Sequence, residues 1–194
     1  MTWWLKARRI HPTLTYGVGA FVLLTVLLQD MSLVLPALSL SGGNMTALSL
    51  FTPVIVVGAI AQTLENRLPE AEESGIRSIR SLDSALILST LGTVTVATLI
   101  GGWTTDSENA MQAGRDVCFL TGLMLVARFF IGRSGVILPL AWIFAVVLAG
   151  RETGTKYHDW AVTALPIDTL HAAVAAVASL GLGIALTHRT RIPL

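Results

Sequence analysis

Charge is scarce in this chain, and several kinds of chemical equipment are missing outright. Only 13% of its 194 residues are Asp, Glu, Lys or Arg, against roughly 25% in a soluble globular chain. A single cysteine, Cys118, is present, so an internal disulfide and metal sites built on cysteine pairs are excluded. Lying within an apolar run, it reads as a small core-facing side chain. Thirteen basic and 12 acidic residues leave a net charge of +1. That gives no basic field for nucleic acid, and no Lys/Arg stripe interleaved with aromatics is found. No G-x-x-x-x-G-K-[ST] phosphate loop occurs, so no ATP site of that type belongs to the chain.

What is there is hydrocarbon. Hydrophobic residues make up 53% of the sequence and the mean hydropathy is +0.70, which points to a bilayer as the solvent. A helix crosses the hydrocarbon with about 20 mostly apolar residues. Six such spans are expected, at about 13–28, 45–64, 84–102, 113–131, 135–150 and 167–187. Backbone groups in lipid must be paired within each segment, so each span is read as an α-helix. The two-residue alternation of a membrane β-barrel is absent. The expected fold is one all-α transmembrane domain covering 1–194.

The positive-inside rule orients it. With the N-terminus inside, Lys6, Arg8, Arg9, Arg67, Arg77, Arg80, Arg128, Arg133, Arg189 and Arg191 are cytoplasmic. Only Arg115, Arg151 and Lys156 are outside. Both termini and the 65–83 loop are therefore expected in the cytoplasm of a multi-pass protein of a prokaryotic cell membrane. A cleaved signal peptide is the alternative for the first span, with Ala37–Ser39 as a weak cleavage site. Trp3, Trp4, Lys6, Arg8 and Arg9 suit an interfacial segment better.

The middles of the expected spans hold no Asp, Glu, Lys, Arg or His. Ion-driven transporters place such groups at membrane depth, so a proton or sodium relay is not expected, and neither is haem held by paired intramembrane histidines. Asp30, Asp83, Arg115, Asp116, Arg128, Asp168 and His171 all fall near span ends, where Arg115 and Asp116 read as boundary residues. Asp168 and His171, three apart, are expected to share a helix face. There they act as an external gate or substrate contact, or simply as a helix-end pair. Ala175, Ser179 and Gly183 recur every four residues, a spacing that lets two membrane helices approach closely, within the bundle or between two copies. Pro53 and Pro139 inside spans predict kinks.

Gly132-Arg133-Ser134-Gly135 reads G-x-S-G, and His171 lies in the last span. Six spans with these two residues resemble rhomboid intramembrane proteases, in which a serine nucleophile and histidine base must meet. Topology sets Ser134 and His171 on opposite sides, and the polar residues of that family's second span are missing.

The 65–83 loop gathers Glu65, Glu70, Glu72, Glu73, Asp83, Arg67, Arg77 and Arg80. Pro69 suits a first helical position, three glutamates complement the positive helix end, and Gly75 can end that helix. Ile76, Ile79 and Leu82 then give an amphipathic lead-in to the third span. The layout as a whole resembles the permease subunit of an ABC-2-type exporter: six spans, both ends inside, a basic start and a structured loop after span two. The resemblance covers the whole chain but rests on no diagnostic motif. It implies a coupling helix in the loop, with Arg67, Glu70, Glu72, Glu73, Arg77 and Arg80 contacting a separate ATPase subunit. ATP and magnesium would be bound by that partner and by nothing in this chain. A second permease copy is also implied, and so is a partly re-entrant external segment at 151–166. Catalytic residues and metal ligands are expected to be absent. The alternative is a non-catalytic accessory or immunity protein that binds another membrane complex.

Overall fold

Helices form where the apolar runs lie, and their ends are set by capping residues and turns. The computed structural model describes residues 10–29, 31–35, 44–65, 79–152 and 156–189. Among these residues six α-helices follow in chain order. They are α1 (Ile10–Leu28), α2 (Pro53–Glu65), α3 (Ile79–Thr105), α4 (Glu108–Ile131), α5 (Ile137–Ala149) and α6 (Leu170–Arg189). Short 3₁₀ turns precede α2 (Leu48–Phe51), join α4 to α5 (Gly132–Val136) and lie before α6 (Val162–Ala164).

Among the described residues, four helical stretches are long and apolar enough to cross a membrane: Leu48–Glu65, Ser81–Thr105, Glu108–Ala149 and Leu170–Arg189. The third, 42 residues long, contains both α4 and α5. Pro12–Leu28 of α1 is apolar but shorter.

The all-α expectation needs one correction. An antiparallel hairpin, β1 (Ser32–Leu35) with β2 (Asn44–Ala47), stands between α1 and α2, and Ser32 pairs with Ala47. Residues 45–47, expected to begin the second span, belong to this hairpin instead. The β1 run is four residues flanked by turn formers, which is strand length rather than helix length. Nor do the prolines kink their helices. Pro53 opens α2 and Pro139 lies in the first turn of α5, where a missing backbone N–H breaks no intrahelical bond.

Helix directions alternate. At one end of the bundle, Thr105 Oγ1 donates to Gln29 Oε1 (3.1 Å) and Asn109 Nδ2 to Gln29 O (3.0 Å), joining the end of α1 to the α3–α4 turn. The start of α2 is tied to α1 nearby by the buried Thr25–Thr52 hydroxyl pair at 3.1 Å. At the other end Arg128 Nη2 donates to Leu64 O (3.1 Å), joining the end of α4 to the end of α2. There too Ser84 and His188 lie within 3.0 Å, linking the start of α3 to the end of α6. The two ends are called here the Asp106 end and the Gly132 end.

Helix α4 is the axle. Ser107 caps it by accepting from Ala110 N (3.4 Å), with Glu108 in its first turn and Arg128 in its last. Both charges complement the helix dipole. It is wrapped by α2, α3, α5 and α6, and Val117, Leu120, Thr121, Met124 and Leu125 are fully buried. A helix enclosed in this way needs no single apolar stripe. It ends where Gly132 takes φ +62, a conformation that a side chain disfavours.

The tightest helix pair is α4 with α6. A Cβ on Gly122 would run into the backbone of Ser179 and Leu180, and one on Gly183 would come within 2.8 Å of Leu125 Cβ. Ser179 Oγ donates to Ala176 O (3.0 Å) and Phe119 O (3.3 Å). The small-residue repeat of α6 is therefore spent inside the bundle. Ala172, Ala176 and Gly183 are buried, whereas Ala175 is only half-buried.

Candidate functional site

Most of the polar residues that break the apolar pattern of α4 are near the Asp106 end. Asn109, Gln112, Ala113 and Asp116 fall at intervals of three, four and seven, so they occupy one face of the helix. Expected as boundary residues, Arg115 and Asp116 prove to lie two turns inside α4. The helix starts at Glu108 rather than near residue 113, because Ser107 caps it early. Their side chains are only 9% and 4% exposed.

Arg115 is a clamp. Its Nη1 donates to Pro166 O (2.8 Å), and its Nη2 to Leu165 O (2.7 Å) and Val162 O (3.0 Å). Nη2 and Nε also reach Asp116 Oδ1, at 3.1 and 3.2 Å. The rigid donor fork of arginine suits such a cluster of acceptors. Gln112 Nε2 adds a bond to Thr163 O (2.8 Å) and a long one to Asp116 Oδ2 (3.5 Å). Together these hold the segment between α5 and α6 against the bundle. Ala161, Val162, Thr163 and Leu165 of that segment are buried. The chain enters it through a small antiparallel turn, with a bridge between Arg151 and Tyr157 and the Arg151 guanidinium 5.5 Å from the Tyr157 ring centre.

Between these parts lies a cleft of about 110 Å³, lined by Asn109, Gln112 and Asp116 of α4, by Tyr157 and Thr163, and by Ser49. Thr163 is completely buried, and its Oγ1 has no hydrogen-bond partner among the described residues. Next to the cleft an aromatic chain leads outward from the core. Phe119 meets Trp142 edge-on at 5.1 Å, Trp142 meets Trp160 at 5.9 Å, and Trp160 stacks on His158 at 6.4 Å.

The residues singled out in the sequence fare unevenly. Arg67, Glu70, Glu72, Glu73 and Arg77 lie outside the described residues, as do Trp3, Trp4, Lys6, Arg8 and Arg9. Arg80 is in the first turn of α3. Asp168 and His171 do not share a helix face: α6 starts at Leu170, Asp168 precedes it in a turn, and both are exposed. Ser134 and His171 form no dyad. Ser134 is in the 3₁₀ turn at the Gly132 end and His171 is at the other end of the 20-residue α6, about 30 Å away along the helix axis. Among the described residues no group of three His, Cys, Asp or Glu side chains is placed to hold a metal.

The cleft and the clamp are not legible from span ends alone. The signal was present: a capping serine at 107, followed by polar residues at helical spacing rather than scattered as in a loop. The chain matches no protein-family model, no curated protein and no solved structure.

Proposed function

We propose that the chain is the membrane-spanning subunit of an ATP-driven exporter with the ABC-2 layout. It would cross the bilayer six times with both termini cytoplasmic, and the ATP-hydrolysing subunit would be a separate chain. The observation that carries the reading is the inward-folded segment before α6. Its Val162–Ala164 turn is held in the bundle, with Val162 and Thr163 buried, and Arg115 ties the carbonyls of Val162 and Leu165 to α4. Such a segment is a trait of that layout, and irregular backbone at membrane depth is tolerated only where protein covers it and satisfies its polar groups.

A second copy also fits the surface. Thr15, Tyr16 and Gln62 are exposed on α1 and α2 near the Gly132 end, and Gln62 gains more from a protein neighbour than from lipid. In this scheme the substrate path forms between copies, and the 65–83 loop receives the push from the ATPase through Arg67, Glu70, Glu72, Glu73, Arg77 and Arg80. Substrate contact at Asp168 and His171 would be made on the outer face, independently of any shared helix face.

Two measurements test the reading. Single-cysteine labelling on a Cys118→Ala background places the tips: Asp106 and Asp159 should react from outside, and Arg133 and Glu72 only from inside. Affinity purification from membranes should recover a nucleotide-binding ATPase, and charge reversal at Glu70, Glu72 and Glu73 should release it. Glu72 labelled from outside, or purification without any ATPase, rejects the proposal.

One observation favours a second reading, a non-catalytic accessory protein. The described helices enclose α4 on several sides, and the cleft is too small for a conduit within one copy. That reading expects co-purification with another membrane complex and a monomeric chain when isolated.

A further inference from the structure

The contact between Ser84 and His188 fixes which faces of α3 and α6 look at each other. On α3 that face continues through Leu88 to Thr95, four and eleven residues beyond Ser84. On α6 it runs back through Gly181 to Val177, seven and eleven residues before His188. These intervals return to one side of a helix. Had the two helices stayed together, both faces would be buried. Instead Leu88 is 50% exposed and Val177 74%. Gly181 is exposed as well, and a Cβ there would meet nothing within 4 Å. The helices therefore meet at the Gly132 end and diverge away from it, leaving a wedge open to the surroundings of the bundle. Helix α4, which packs on both, is its floor, and there the half-buried Cys118 Sγ lies 3.8 Å from Thr95 Oγ1.

Two further features say what fills the wedge. Eleven helical residues measure about 16 Å, half of a hydrocarbon core about 30 Å thick, so the wedge is one leaflet deep. At its closed end stand His188 and Arg189, both exposed, in the last turn of α6. Arg189 is in no ion pair among the described residues, and Asp83, the acid next to Ser84, is buried. We propose that the wedge holds an acyl chain of an anionic phospholipid from the leaflet at the Gly132 end, with its phosphate at Arg189 and His188. Arginine suits phosphate oxygens, and basic residues between membrane helices hold anionic headgroups. A zwitterionic headgroup brings its own ammonium, which Arg189 repels. The proposal needs a bilayer but neither a second copy nor an ATPase. Its failure would leave the exporter reading untouched, and the converse also holds.

The test is native mass spectrometry of the purified full chain, delipidated in detergent and titrated with dioleoyl phosphatidylglycerol or dioleoyl phosphatidylcholine. The wild-type chain should bind phosphatidylglycerol about tenfold more tightly, the worth of one charge-assisted hydrogen bond. Arg189→Gln should bring that lipid down to the phosphatidylcholine value. Gly181→Leu fills the wedge from a position whose Cβ meets no protein atom, so it should weaken both lipids and leave their ratio unchanged. Arg133→Gln, exposed in the α4–α5 turn at the same end, should change neither. Equal affinity of the wild-type chain for the two lipids overturns the proposal, as does a phosphatidylglycerol preference that survives Arg189→Gln. Equal losses in Arg133→Gln and Arg189→Gln would mean diffuse surface charge only, and unchanged binding in Gly181→Leu would mean lipid held elsewhere on the apolar surface; either result also overturns it. Val177→Phe closes the deep end of the wedge and decides the matter if Gly181→Leu does not fold.

Discussion

Arg115 is the residue on which most of the Asp106 end depends, because one side chain supplies donors to three carbonyls and a carboxylate. Removing one member of a buried charge pair costs about 3–5 kcal/mol, much of it from stranding the other charge. Arg115→Ala should therefore lower stability by about that amount in thermal unfolding, and a change under about 1 kcal/mol would contradict the clamp. Arg115→Lys keeps the charge but loses the fork, so it should recover only part of the loss. Asp116→Ala should also destabilise, by less, since the Arg115 guanidinium keeps its three carbonyl partners.

Helices pack as their smallest residues allow, and α4 with α6 shows this most clearly. Gly122→Ala places a methyl against the backbone of Ser179 and Leu180. Backbone cannot swing aside as a side chain can, so the helices must separate, at a cost of about 1–3 kcal/mol. Gly181, the next residue along α6, faces away from this contact, and a methyl there would meet nothing within 4 Å. Gly181→Ala should be neutral or stabilising by about 0.5–1 kcal/mol. Equal melting shifts for the two variants would refute the helix contact. At this scale the sequence was readable where hydropathy alone decides: all six expected spans overlap an α-helix. It was less readable where polar residues lie inside a helix. Asn109, Gln112, Arg115 and Asp116 read as a loop and a boundary, because a charge count carries no information about burial. The Ala175–Ser179–Gly183 spacing announced a close helix contact but not its partner, which depends on how the chain folds back. The β1–β2 hairpin was hidden because β2 continues directly into the apolar run of α2.

Across the whole molecule, large apolar side chains face outward as well as inward. Val96 on α3 is 56% exposed and Val177 on α6 is 74% exposed, an arrangement that water would penalise and lipid accepts. A charge at mid-helix should therefore interfere with insertion rather than with packing. Val96→Arg should cost about 2.5–3.5 kcal/mol of insertion free energy. Thr104→Arg, at the end of α3, should be tolerated because a long side chain there reaches the interface. Glycosylation-site reporters on either side of α3 measure the difference, and normal insertion of Val96→Arg would argue against a lipid-facing surface. Enclosure of α4 by helices on both sides of it in the sequence also explains why no short fragment of the chain would be expected to hold together.

The carbonyls that seat Arg115 lie 47 to 51 residues further along the chain. During synthesis, a guanidinium must therefore wait in or near the bilayer until the stretch before the last helix has been made. A product cut short ahead of Val162 keeps that cation but never acquires its seat, and membrane proteases could recognise it as unfinished.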